Sequence, residues 1–211
     1  MQEAIVLIGP TGSGKTPLGE LLTARGFRGR RCIHFDFGAV LRRIASGDAP
    51  AGDFDDDEIE FIRGVLETGA LLEDRDFHIA LQAIRAELTA QGAEADCIVA
   101  LNGLPRHAGQ ARDLRAVVDV RTVVLLNCSP EVVAGRIATN AGGDRTGRRD
   151  DHIDAVTRRL EIFATRTAPL ADYYRHAGAA VETIEVTETT TPQGIADELD
   201  RRRPPATTRD R

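Results

Sequence analysis

Two kinds of block alternate along the chain. One kind is short and rich in apolar and β-branched residues: residues 4–8, 32–35, 97–101, 121–126 and 180–186. Such runs predict strands, and the unbroken apolar run 4–8, ending at glycine, predicts a buried one. The other kind repeats its apolar residues every three or four positions. It predicts helices at 15–24, 37–45, 76–90, 130–138 and 192–199. Asp53, Asp55, Asp56, Asp57 and Glu58 cluster just before Ile59, Phe61, Ile62, Val65 and Leu66. These carboxylates read as the first turn of a further helix, where its dipole favours negative charge, and not as a metal site. Residues 150–176 carry one long helical pattern with Ile153, Val156, Leu160 and Phe163 on one face. Pro169 falls inside that pattern and should kink or break it. Residues 139–146 read as a short loop, and 201–211, polar with two prolines, as a disordered tail.

Strands alternating with helices predict an α/β fold in one domain. A five-stranded parallel sheet would be covered on both faces, with ligands at the carboxyl ends of its strands. Hydrophobic residues make up 42% of the chain, enough for a core, but aromatics only 4%, so that core should be aliphatic. A net charge of -6 argues against nucleic acid as a partner. No apolar run is long enough to span a membrane, and no leader pattern precedes the first strand. Cys32, Cys97 and Cys128 form no C-x-x-C pair and read as buried, reduced thiols of a cytoplasmic protein.

All but one of the 27 basic residues are arginine. The exception, Lys15, sits in Gly9-Pro10-Thr11-Gly12-Ser13-Gly14-Lys15-Thr16. This string fits G-x-x-x-x-G-K-[ST] and lies between a predicted strand and a predicted helix, as a phosphate-binding P-loop must. A compact ammonium on a flexible stem can reach the β- and γ-phosphates there, where a planar guanidinium fits poorly. Gly9, Gly12, Ser13, Gly14, Lys15 and Thr16 are therefore candidate contacts to ATP. Thr16 is a candidate Mg²⁺ ligand. Pro17 is tolerated in the first helical turn, where its missing N–H is no loss.

An ordered series of further motifs follows. It comprises Gly38-Ala39-Val40-Leu41-Arg42, Gly69-Ala70-Leu71-Leu72, and Asn102-Gly103-Leu104-Pro105-Arg106 with Gln110. Then come Arg136, Gly147-Arg148-Arg149-Asp150-Asp151, Arg159-Leu160, Pro169-Leu170 and Tyr173-Tyr174. Over about residues 4–186 this series resembles the adenylate kinase family of nucleoside monophosphate kinases. The resemblance implies a three-layer P-loop NTPase fold, with a small helical acceptor-binding insertion at about 37–73 and a short, zinc-free lid at about 137–148. It implies transfer of the γ-phosphoryl of ATP, with Mg²⁺, to a nucleoside monophosphate. By the same resemblance Arg42 and Arg106 would grip the acceptor phosphate, and Arg136 would lie against the adenine of ATP. Lys15, Arg148 and Arg159 would hold the transferring group. Gln110 would bond the acceptor base, favouring AMP. Without the resemblance, Gln110 reads as simply exposed. The expected partners are nucleotides alone, for a cytoplasmic monomer.

The departures from the family pattern are informative. Asn102 stands where the family usually has Asp. Phe37-Gly38-Ala39 replaces Thr-Gly-Asp, which turns a bulky Phe37 toward the expected base pocket. One lid arginine falls on Asn140, with Arg145 nearby as a substitute. Asp36 ends the second strand and has two readings: a metal-site charge replacing the one Asn102 lacks, or an N-cap for the next helix. Asp36, Phe37 and Asn102 also leave open a small-molecule alcohol kinase with Asp36 as base. The missing strand-three Asp leaves open a nucleotide-binding regulatory module with little turnover. His34, in the second strand, reads as a satisfied core or edge histidine.

Overall fold

The computed structural model describes residues 1–48, 54–68, 72–143 and 153–202. Strands β1 (Gln2–Ile8), β2 (Cys32–Asp36), β3 (Ile98–Asn102), β4 (Val118–Asn127) and β5 (Ala180–Glu185) form one parallel sheet in the order β2-β3-β1-β4-β5. The central strand is β1, and all of Ala4 to Ile8 is buried. That explains its unbroken apolar run: with both faces covered, no position is left for a polar residue. Strand β4 begins three residues before the predicted 121. Its polar Asp119 and Arg121 hide that start, and a register shift opposite Ala4 and Ile5 leaves Arg121 as the extra residue of a bulge.

Helices cover both faces. On one face α1 (Lys15–Arg25) and α9 (Pro192–Arg201) bring Leu18, Leu22, Ile195 and Leu199 against Ile5, Leu7 and Val124. On the other, α2 (Phe37–Ser46), α4 (Phe77–Ala90) and α8 (Leu170–His176) bring Val40, Leu41, Ala83, Ile84 and Leu170 against Ala4, Val6, Ile33 and Val99. Alternate residues of one strand thus serve opposite cores, as the two-residue period of a strand requires. Helix α3 (Asp56–Thr68) packs on α2 and opens with Asp56, Asp57 and Glu58 in its first turn. Helices α5 (Ala108–Asp113), α6 (Pro130–Ala138) and α7 (Ile153–Ile162) complete the described set.

The long helical pattern over 150–176 is broken near Pro169, as that proline predicted. Helix α7 ends at Ile162, a π-helical turn covers Phe163–Thr167, and α8 starts after Pro169. Pro169 has no N–H, and its ring would strike the carbonyl four residues back in an ordinary helix. The wider turn absorbs this, with the Ala168 N–H donating to the Phe163 carbonyl at 2.8 Å. The tail is corrected at its start, because Arg201 closes α9. Thr191 caps that helix by accepting from the Gly194 N–H, and Pro192 follows at its first position.

Candidate nucleotide site

The strand ends gather over α1. Between β1 and α1 the chain turns through Gly12 (φ 77°) and Gly14 (φ 97°), both left-handed, where a side chain would be strained. The Lys15 ammonium folds back over this loop and donates to the carbonyls of Gly9 at 2.8 Å and Pro10 at 2.7 Å. Ser13 is fully buried beneath it. The amides at the start of α1 point into the same space, so backbone dipoles and one ammonium converge on an anion site.

Arg136, near the end of α6, is only 2% exposed. Its Nε donates to the Gly12 carbonyl at 3.0 Å, and its Nη1 to the carbonyls of Thr187 and Thr190, each at 2.9 Å. It therefore ties the P-loop to the turn after β5.

Thr16, Asp36 and Asn102 form a compact triangle. The Thr16 hydroxyl donates to Asp36 Oδ2 at 2.9 Å, and the Asn102 amide donates to that oxygen at 2.9 Å and to Thr16 Oγ1 at 3.0 Å. The other Asp36 oxygen accepts from the Ala39 N–H at 2.9 Å and caps α2. The N-cap reading of Asp36 thus holds through Oδ1, while Oδ2 faces Thr16 and Asn102. Among the described residues no three His, Cys, Asp or Glu side chains come together as a metal cage. One hydroxyl beside one carboxylate suits a magnesium ion, which keeps waters and shares phosphate ligands. His34 lies on the edge strand with Nε2 3.4 Å from the Asn102 amide nitrogen. Burial lowers its pKa and favours the neutral ring.

Next to the triangle opens a cavity of about 310 Å³, within the size range of small-ligand sites. Arg42, Arg106, Gln110 and Arg159 line it together with Lys15 and Thr16. Arg106 lies just beyond a cis Leu104–Pro105 peptide and donates from Nε to the Gly103 carbonyl at 2.7 Å. Burial, and then the charge of Arg159, lower its pKa. Two guanidinium groups held close in one cleft repel each other, an arrangement that an anion relieves. Gln110 is corrected from exposed to buried, at 2% exposure. Its carbonyl accepts from the Arg106 N–H at 2.7 Å and its amide donates to the Leu72 carbonyl at 2.7 Å. Phe37 is 8% exposed, stacks on Phe35 and forms a wall of the cavity as well as part of the core. Phe163, read in the sequence only as part of an apolar helix face, and Thr167, not singled out there, line the cavity from the π-helical turn. The pattern of 150–176 gave no sign of that turn. Arg145 and Arg148 lie outside the described residues. The thiols divide: Cys32 and Cys97 are buried as expected, but Cys128 is only half-buried.

Comparison with known proteins adds a family. Residues 5–156 match the family model described as an AAA domain. The chain is 31% identical over 187 residues to the adenylate kinase of Synechococcus sp. (strain WH7803), covering 86% of this chain and 89% of that one. It is 31% identical over 182 residues to an adenylate kinase of Thermus thermophilus, covering 83% and 85% of the two. The adenylate kinase of Prochlorococcus marinus (strain MIT 9211) is 27% identical over 187 residues, covering 86% and 88%. No helix among the described residues is long and apolar enough to cross a membrane.

Proposed function

The chain belongs to the adenylate kinase family of ATP-dependent phosphotransferases, and we propose that AMP is the nucleoside monophosphate it phosphorylates. The observation that carries this reading is the pairing of Arg106 with Arg159 in a cleft continuous with the P-loop. A cleft with a phosphate cradle at one end and repelling guanidinium groups at the other suits two phosphate-bearing ligands end to end. In this reading the P-loop amides and Lys15 hold the β- and γ-phosphates of ATP. Arg136 positions the loop against the base, and Arg42 and Arg106 grip the acceptor phosphate. Arg159 and Arg148 meet the transferring group. Thr16 and Asp36 hold Mg²⁺, which supplies charge neutralisation across the phosphates.

An acceptor phosphate oxygen attacks the γ-phosphorus as the bond to the β-phosphate oxygen breaks, and two nucleoside diphosphates result. The acceptor is already an anion, so no general base is needed. Asp36 is held by the helix cap on Oδ1 and by Thr16 and Asn102 on Oδ2, which fixes it as a charge beside Thr16. Positioning and electrostatics supply the rate, and an arginine at the transferring group can contribute about 10³–10⁵.

Gln110 supports adenine. An amide offers two N–H donors and two lone pairs, and the backbone of Leu72 and Arg106 uses one of each. The remaining donor and acceptor match the N1 and N6 edge of adenine. A bidentate amide contact of this kind contributes about 1–3 kcal/mol of discrimination. The reading takes the chain as a cytoplasmic monomer without nucleic-acid partner, which the charge of -6 supports.

The test is ADP formation from Mg-ATP with AMP, GMP, CMP, UMP, dTMP or no acceptor. AMP should lead the others by at least about tenfold in kcat/KM. A faster rate with another monophosphate would overturn the choice of AMP.

A further inference from the structure

We propose that Asp36 and Asn102 act as one interchangeable pair around Thr16: the site needs one carboxylate and one amide there, and either strand end can carry either group. The proposal rests on the Mg-ATP reading above.

Asp36 and Asn102 are direct register partners on neighbouring strands, so their side chains leave the sheet on the same side. Each reaches Thr16 Oγ1, and each reaches the other, at 2.9–3.0 Å. The Thr16 hydroxyl has one proton and two lone pairs. Its proton goes to Asp36 and one lone pair takes the Asn102 N–H, which leaves one lone pair outside the triangle. The carboxylate accepts the proton; the amide steers both partners. Exchanging the two groups preserves that count of donors and acceptors.

Two further contacts distinguish the two positions, the cap made by Asp36 and the 3.4 Å approach of the Asn102 amide to His34 Nε2. Asp36 caps α2 through Oδ1. Asn caps a helix about as well as Asp, so an amide at 36 keeps the cap. Position 102 has no such duty, and its 4% exposure leaves little water for a second charge. Two carboxylates here would face each other at hydrogen-bond distance with no proton between them. Two amides would leave the Thr16 proton without a charged acceptor.

Four proteins decide the matter: the wild type, Asp36→Asn, Asn102→Asp and the double exchange. Thermal unfolding is measured without nucleotide or metal. The gain in ATP affinity on adding Mg²⁺ is measured by calorimetry, which requires no acceptor. Asp36→Asn should unfold about 2–6 °C below wild type, because its cap survives while Thr16 and Asn102 lose a charged acceptor, and should lose about tenfold or more of the Mg²⁺-dependent gain. Asn102→Asp should unfold about 4 °C or more below wild type. The double exchange should return to within about 2 °C of wild type and recover most of the gain. A double exchange no better than the worse single variant overturns the proposal. So does an Asp36→Asn protein whose Mg²⁺-dependent gain is unchanged. A wild-type protein that gains ATP affinity from Mg²⁺ but phosphorylates no monophosphate would defeat the acceptor reading and leave this one standing.

Discussion

Replacing Gly19 with alanine tests how tightly the triangle is supported from behind. Gly19 is buried in α1 beneath β2. A methyl there would lie 2.2 Å from His34 Cδ2, 2.3 Å from Nε2 and 2.6 Å from Cγ. Carbon atoms rest about 3.5–4.0 Å apart, so the ring must retreat by more than an ångström. His34 is half-buried on the edge strand, and its retreat would disturb the 3.4 Å contact of Nε2 with the Asn102 amide. Overpacking of this kind costs about 1–3 kcal/mol, and an overlap with three ring atoms belongs at the upper end. Alanine is favoured over glycine in a helix by about 1 kcal/mol, which offsets part of that. The net loss is then about 2 kcal/mol, or a fall of roughly 4–8 °C in Tm for a chain of this size. Gly64, exposed in α3 with nothing within 4 Å of an added methyl, is the internal control. Gly64→Ala gains the helical term alone, so its Tm should rise by roughly 2–4 °C. Thermal unfolding followed by circular dichroism reads both. If Gly19→Ala melts at or above wild type, the packing argument is wrong. If it melts lower, adding His34→Ala should recover part of the loss.

Arg106→Ala should raise the acceptor KM about tenfold or more and leave the ATP KM nearly unchanged. Arg106→Lys should not restore it, because an ammonium lacks the fork that matches phosphate; equal losses for both substrates would refute this assignment. Burial pushes the Cys32 thiol up to about 12, so iodoacetamide at pH 8 should leave it unlabelled until the protein unfolds. Half-buried Cys128, also raised by burial but drawn down by Arg136 and Lys15, should label before Cys32, and ATP should slow it. Peptide mapping after timed quenching checks that order.

The parts of the site that follow the chain locally were legible in its sequence. Gly12, Gly14 and Lys15 announce a turn that only such residues make, and Asp36 caps the helix that starts at the next residue. The parts that depend on which strands are neighbours were not. That Asp36 could replace the charge missing at Asn102 was read from the departure from the family pattern; that the two side chains touch follows from the order β2-β3-β1. Gln110 looked exposed because its short helix has no apolar stripe. It is buried because the Leu72 carbonyl, 38 residues earlier, comes to meet it. The proline at 169 announced a break, but its form, a π-helical turn that feeds Phe163 and Thr167 into the cavity, depends on packing against Arg106.

The central position of β1 has a consequence for how the molecule breathes. The phosphate loop hangs from a strand hydrogen-bonded on both sides and buried from Ala4 to Ile8. Amides of such a strand exchange with solvent only when the whole domain opens. Helix α3, over the other end of the cleft, fully buries only Ile62, with Ile59, Phe61, Val65 and Leu66 partly buried against the core. Its amides should therefore exchange through local opening, far sooner than those of β1. The donor end of the cleft is anchored to the last part of the domain to unfold. The opposite end should open before it, and hydrogen exchange in which α3 and β1 are protected alike would refute this order.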